Sequence, residues 1–335
     1  MKKLISKSER IFIAGSRGMV GQAIVKALKK SGYGEKEYGG ILLTPSRKEL
    51  NLLNRDDVEK WFAINNPTIV VLAAAKVGGI FANDSKPTEF LLENLKIQLN
   101  VIELAWKYGV KRLLFLGSSC IYPKFAEQPI KEESLLSGML EPTNQWYAIA
   151  KIAGIKLCEA LRKQNKFDAI CLMPTNLYGP GDNYHPENSH VMASLIRKFC
   201  FASKNSLPSV TCWGTGTPLR EFMHVDDLAK ASIFALERWN PDAKNAPLDN
   251  NGNPLLFLNV GTGKDLSIKD LAEKIAEITK FKGQIIWDKS KPDGTPRKLL
   301  NIDRLKILGW KNTIDLSKGI KNAISDFEMK QFSKY

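Results

Sequence analysis

No apolar run in these 335 residues reaches the roughly 18 that a membrane-crossing helix requires. The start, Met1-Lys2-Lys3-Leu4-Ile5-Ser6-Lys7, lacks the long apolar stretch and cleavage site of a secretory signal, so a cytoplasmic protein without a membrane partner is expected. The five cysteines are odd in number and include no C-x-x-C pair, which argues against a disulfide framework or structural zinc. Only three histidines occur, none at ligand spacing, so no metal site is expected. The net charge of +14 is spread along the chain with no run of five or six lysines, and no nucleic-acid tail stands out. A phosphate-bearing small molecule would answer that charge equally well. No internal repeat or low-complexity tract appears.

What is present is an alternation of apolar strands and amphipathic helices, with 44% hydrophobic residues to fill a core. Strands are expected at Arg10–Ala14, Ile41–Leu43, Ile69–Ala75, Leu113–Leu116 and Ala169–Met173, and a long helix over Glu89–Lys107. Such alternation implies an α/β fold with a doubly wound parallel sheet. The first strand runs into Gly15-Ser16-Arg17-Gly18-Met19-Val20-Gly21 and then a helical pattern. Glycines there allow a tight turn and close approach of a pyrophosphate to a helix N-terminus. The second strand ends in Thr44-Pro45-Ser46-Arg47, where an NAD-binding unit would usually present an acid. Arg47 with Arg17 suits a 2′-phosphate instead, and NADP(H) is the expected cofactor.

The chemistry concentrates between Gly117 and Lys151. Ser118, Ser119 and Cys120 fall at the carboxyl end of the fourth strand, where open α/β sheets bind ligands. Tyr147 and Lys151 are four apart on a helical segment and share one face, so the ammonium is expected to ease ionisation of the phenol. Taken alone, a Tyr-x-x-x-Lys pair is more often a plain surface pair; the strand-end serines and the glycine turn reverse those odds.

Beyond Gly181 the character changes. Val191–Phe201 reads as a helix, Val210–Trp213 as a strand, and Gly214 to Arg220 as an anion-binding loop. Residues 239–255 read as a surface insertion, Leu256–Val260 as a strand, Ser267 with Asp270 as a helix capping box, and Lys291–Lys298 as a second basic loop. The expected division is a dinucleotide-binding domain over 9–180, with returning segments near 221–238 and 256–263, and a smaller α/β substrate-binding lid from 181–220 and 264–330.

Gly15-x-x-Gly18-x-x-Gly21, the strand-end serine and Tyr147-x-x-x-Lys151 together resemble the extended short-chain dehydrogenase/reductase family. Longer stretches, among them Ala73–Ile80, Leu116–Lys124, Glu141–Asn144, Met173–Pro180, Arg220–Asp227 and Lys291–Lys298, are similar to its branch that turns GDP-4-keto-6-deoxy-D-mannose into GDP-L-fucose. The likeness runs from about Arg10 to about Gly319. It implies epimerisation at sugar carbons 3 and 5, then NADPH reduction at carbon 4, in a homodimer formed through the 89–107 and 147–163 helices. Ser118, Tyr147 and Lys151 would take the reductive roles, and Cys120 and His190 those of epimerising base and acid. It also implies a cofactor site of Gly15, Ser16, Arg17, Gly18, Met19, Val20, Gly21, Arg47, Leu52, Leu116, Gly117, Ser118, Ser119, Lys151, Pro174, Thr175, Asn176, Leu177 and His190. Lys198, Trp213, Arg220 and Asp293 would hold the nucleotide sugar. Lys198 stands where arginine is expected, and lysine cannot make a bidentate phosphate contact. Two other readings stay open: another sugar-nucleotide epimerase or dehydratase of this fold, and a non-catalytic NADP sensor.

Overall fold

The computed structural model describes residues 3–291 and 293–332. Met1, Lys2 and Pro292, which belong to the N-terminal stretch and second basic loop singled out above, lie outside the described residues. In chain order the main elements are β1 (Arg10–Ala14), α1 (Met19–Lys30), β2 (Ile41–Leu43), α2 (Arg55–Asn65), β3 (Ile69–Leu72), α3 (Ile80–Ser85), α4 (Pro87–Lys107), β4 (Arg112–Leu116), α5 (Gln145–Asn165), β5 (Ala169–Pro174) and β6 (Asn176–Tyr178). They continue with α6 (Val191–Lys204), β7 (Ser209–Trp213), β8 (Leu219–His224), α7 (Val225–Arg238), β9 (Phe257–Val260), β10 (Asp265–Ser267), α8 (Ile268–Ile278), β11 (Gln284–Asp288), β12 (Arg297–Lys298), α9 (Asp303–Ile307) and α10 (Leu316–Phe332).

Six parallel strands form the main sheet in the order β2-β1-β3-β4-β5-β9. Parallel strands need covered crossovers, so both faces are buried. The strand residues divide accordingly: Phe12, Val70, Phe115 and Cys171 pack with α2, α4 and α5, while Ile13, Val71, Leu114 and Leu172 pack with α1 and α7. Each such side chain, fully buried, contributes roughly 1.5–3 kcal/mol. The order reverses between β1 and β3, which opens a crevice at their carboxyl ends. The strand expected over Ile69–Ala75 stops at Leu72, leaving Ala73 to Ala75 as a wall of that crevice.

A second core lies in the C-terminal part. Phe199 of α6, Val210 of β7, Phe222 of β8, Leu271 of α8 and Ile324 of α10 pack together there. Strand β8 binds it to the main sheet region, pairing with β6 and β12 in parallel and with β10 antiparallel. Ser267 and Asp270 form the expected capping box at α8. The chain also crosses back, because Leu305 and Trp310 join the core around β1 and α7. The 239–255 segment is more than a surface insertion. It begins at Trp239, which is fully buried and whose carbonyl accepts from Arg112, and Asp242 pairs with Arg162 at 2.7 Å. Burying Trp239 and pairing those two guanidiniums ties the segment to the sheet.

Candidate active site

The β1 turn comes first because its shape is set by backbone alone. Gly15 has φ +86°, and a Cβ there would lie 2.7 Å from Ala74, while a Cβ on Gly21 would overlap the Gly15 carbonyl. The turn therefore packs against the β3 loop and against its own helix, with Met19 and Val20 in the first turn of α1. Above it lies a cavity of about 360 Å³ lined by Gly15, Ser16, Arg17, Gly18, Arg47, Leu52 and Ala73 to Lys76. Arg17 and Arg47 are both exposed, and no ion pair is recorded for either among the described residues. Glu49, the acid nearest Arg47 in sequence, turns onto its own loop and accepts from the Ser46 N–H at 2.6 Å. That hydrogen bond, with Arg17 adding a smaller share, holds its carboxyl below the usual range. A glycine turn that admits no side chain, leading to two exposed arginines that form no ion pair among the described residues, fits an anionic dinucleotide bearing a further phosphate.

At the end of β4 lie Leu116, Gly117, Ser118 and Ser119. Ser118 caps the short turn after it, its Oγ accepting from the Cys120 N–H at 3.3 Å. The same hydroxyl lies close to the phenol of Tyr147 on α5. One turn on, Lys151 is buried, donates to the Leu116 carbonyl at 2.8 Å, and has its Nζ 5.7 Å from the Tyr147 ring centre. The pair is thus assembled, but its electrostatics correct the sequence reading. Burial drives the phenol well above its ordinary pKa, the Cys120 sulfur adds to this, and only Ser118 acts downward. Burial likewise pushes the Lys151 ammonium down, to about 7. Desolvation outweighs mutual attraction because the ammonium is turned to a carbonyl rather than to the phenol oxygen. Burial thus keeps the phenol protonated, the form in which it can serve as a general acid.

Beyond β5, Thr175 gives its N–H to Val260 and its hydroxyl to the Glu221 carbonyl, and Asn176 donates to that carbonyl at 2.8 Å. These side chains bind β5 to β8.

Cys120 is half-buried between the two parts of the chain. Its Sγ accepts from Asn144 Nδ2 at 3.6 Å and from Lys298 Nζ at 3.8 Å. His190 is the N-cap of α6, yet its side chain makes no capping bond. The residue is exposed, but the protein around it and the Lys298 charge hold its pKa below the ordinary value. Lys298 therefore acts on both groups. Sequence reasoning singled out its basic loop and missed its partner, since Cys120 lies 178 residues away.

Of the four residues expected on the nucleotide sugar, Trp213 is 50% exposed, with Lys198 and Lys291 ammoniums 5.8 and 5.5 Å from its ring centre. Lys198 donates to the Thr211 carbonyl at 2.8 Å, while the neighbouring Arg197 has a buried Nε without a partner. Arg220 donates to the Asp293 carbonyl at 3.3 Å. The Asp293 carboxylate accepts from Thr215 N–H and hydroxyl, both at 2.8 Å, and fixes the loop at Gly214, where a Cβ would overlap it. Asn144 Oδ1 is a further buried acceptor without a protein partner, beside Cys120.

An anion-binding glycine turn, a phenol with a buried lysine and a serine at one strand end define a class of nucleotide-dependent oxidoreductases, and the chain belongs to the NAD dependent epimerase/dehydratase family, which it matches over residues 11–247. Within that class it is 50% identical to GDP-L-fucose synthase of Escherichia coli K12 over 95% of this chain and 96% of that one. It is 51% identical to GDP-L-fucose synthase 1 of Arabidopsis thaliana, over 96% and 94% of the two chains. Among solved structures it is similar to a GDP-mannoheptose C4 reductase of Campylobacter jejuni with NADP bound: TM-score 0.82, 34% identity, 97% of this chain and 99% of that chain covered.

Proposed function

We propose that this protein converts GDP-4-keto-6-deoxy-D-mannose to GDP-L-fucose, inverting carbons 3 and 5 before reducing carbon 4 at the expense of NADPH. One observation carries the reading: Cys120 stands beside the Ser118–Tyr147 pair, so that a thiol and a proton-donating phenol face one cleft. Half identity to GDP-L-fucose synthases over nearly the whole chain supports it.

The glycine turn, Arg17 and Arg47 would hold NADPH, which when bound would supply the hydride chemistry for carbon 4. Ser118 orients the keto oxygen and Tyr147 protonates the alkoxide that reduction leaves. Lys151 holds the cofactor ribose. Hydrogens at carbons 3 and 5 are acidic only while the keto group can accept charge as an enolate, so inversion precedes reduction. Cys120 takes a proton from one face of the ring and His190 returns one to the other. Lys198, Trp213, Arg220 and Asp293 hold the GDP moiety.

Supplying the 4-keto sugar with NADPH tests this. Stoichiometric loss of NADPH absorbance with GDP-L-fucose as product is expected; reduction without inversion would overturn the epimerase assignment, and no turnover the whole reading. No helix among the described residues is long and apolar enough to cross a membrane, and a cytoplasmic site of action goes with the reading. So does a homodimer through α4 and α5, whose outer faces expose Leu92, Leu99 and Ile149; sedimentation would check it.

A further inference from the structure

We propose that Lys298 is the positioning residue of the epimerisation: carried by β12, its ammonium contacts the Cys120 sulfur and holds it in place against the substrate. This rests on the reading of Cys120 as the base. The geometry begins with the ladder. Lys298 and Arg220 are direct partners in the parallel pair of β12 and β8, and side chains of residues so paired project from the same face. Two cations side by side repel unless an anion lies before them. Within the described residues no carboxylate is paired with Lys298; its one hydrogen bond goes to Cys120 Sγ at 3.8 Å. Arg220, for its part, is close enough to feel the charge of the same sulfur, along with those of Asp293 and Glu141.

The remaining neighbours of that sulfur are neutral. Asn144 donates to it at 3.6 Å, and Tyr147 lies near enough for the sulfur's charge to act on its phenol. The contact with the Lys298 ammonium fixes where the sulfur stands. Lys298 also bears on His190, so one lysine from the C-terminal part acts on both groups of the inversion. Lys151 and the cofactor turn lie apart from it, and reduction should not depend on it directly.

Alkylation of Cys120 by iodoacetamide in the full-length protein, read peptide by peptide by mass spectrometry, tests the contact without turnover. The other thiols interfere little, because Cys158, Cys171 and Cys212 are buried and burial pushes the Cys200 thiol up to about 12. Lys298→Met should slow alkylation at neutral pH by about tenfold, with a comparable loss of deuterium uptake at carbons 3 and 5 in D₂O. Lys298→Arg, which keeps the charge, should restore both. NADPH affinity, measured on each variant, should stay at the wild-type value and shows that the fold is intact. Wild-type alkylation and exchange in Lys298→Met overturns the proposal, as does Lys298→Arg behaving like Lys298→Met. Full deuterium uptake in Cys120→Ala would overturn instead the reading of Cys120 as base, an outcome the alkylation rates distinguish.

Discussion

The two walls of the cleft are built differently. On the sheet side, Ser118, Tyr147 and Lys151 come from one continuous stretch, on a strand end and a helix whose neighbours are fully buried. On the other side, Arg220, Asp293 and Lys298 come from short strands and loops, and Trp213 beside them is half in solvent. The first wall fixes its groups by packing. The second fixes them by hydrogen bonds and charge, as when Asp293 accepts twice from Thr215. In the proposed reaction, reduction would use groups of the first wall, whereas inversion would need Cys120 from one and His190 with Lys298 from the other. Perturbing the C-terminal part should thus separate two activities that share one substrate.

The sharpest contrast concerns the cost of the rigid wall. Lys151 is buried without a carboxylate, and its pKa falls from 10.5 to about 7. The folded form therefore binds fewer protons than the unfolded chain between those values, so stability rises with pH across that window. At about 1.4 kcal/mol per unit, replacing Lys151 with Met should stabilise the cofactor-free protein by about 3–5 kcal/mol below pH 7. The gain should fade as pH approaches 10. Urea unfolding of both proteins at pH 6 and 9.5 measures this, and equal differences at the two values would show that burial of the charge is not its source.

Tyr147→Phe comes next. It keeps the ring packing and removes the proton, and should cost at least ~100-fold in turnover, the lower end for acid–base catalysis. NADPH binding and deuterium uptake at carbons 3 and 5 should survive, because neither uses the phenol. A variant that loses exchange along with reduction would mean the two walls do not divide the work as described.

How far these walls were legible in the sequence follows from how local their causes are. The apolar strand at Arg10–Ala14, the glycine turn and the four-residue spacing of Tyr147 and Lys151 are near-neighbour patterns, and the structure has them where the sequence placed them. The direction of the Tyr147 and Lys151 shifts was not legible, since it depends on how much protein covers both groups and where the ammonium points. Nor was the tie between Lys298 and Cys120, which forms only once β12 pairs with β8. Trp239 was read as loop because Asn, Asp, Pro and Gly follow it; its burial is decided by Arg112 and by the helix before it.

Arg17 and Arg47, the arginines proposed to meet the cofactor phosphate, form an exposed counterpart to Lys151. Water and salt already screen Arg17 and Arg47, so their contribution is smaller and falls with ionic strength. Arg47→Ala should narrow the preference for NADPH over NADH by about 1–3 kcal/mol, the usual worth of a charged hydrogen bond. Isothermal titration with both cofactors, at low and high salt, gives the number. Equal affinities in the unmutated protein would remove the basis of the assignment.

The smallest effect should lie farthest from the packed sheet, at the start of α8. Ser267 Oγ accepts from the Asp270 N–H at 2.9 Å and donates to its carboxylate at 2.7 Å, while the Ser267 N–H reaches that carboxylate at 3.4 Å. The box thus satisfies orphan donors of the first turn and places a negative charge at the helix N-terminus. Ser267→Ala removes the side-chain acceptor and should cost about 1 kcal/mol. Because α8 packs in the C-terminal core and not against the main sheet, the loss should appear as earlier unfolding of that part, read by hydrogen exchange along α8, and as weaker binding of the nucleotide sugar. NADPH affinity should not change. If exchange instead quickens equally in α8 and in β3 to β5, the two parts unfold as one unit, and the contrast between the walls is one of chemistry rather than of stability.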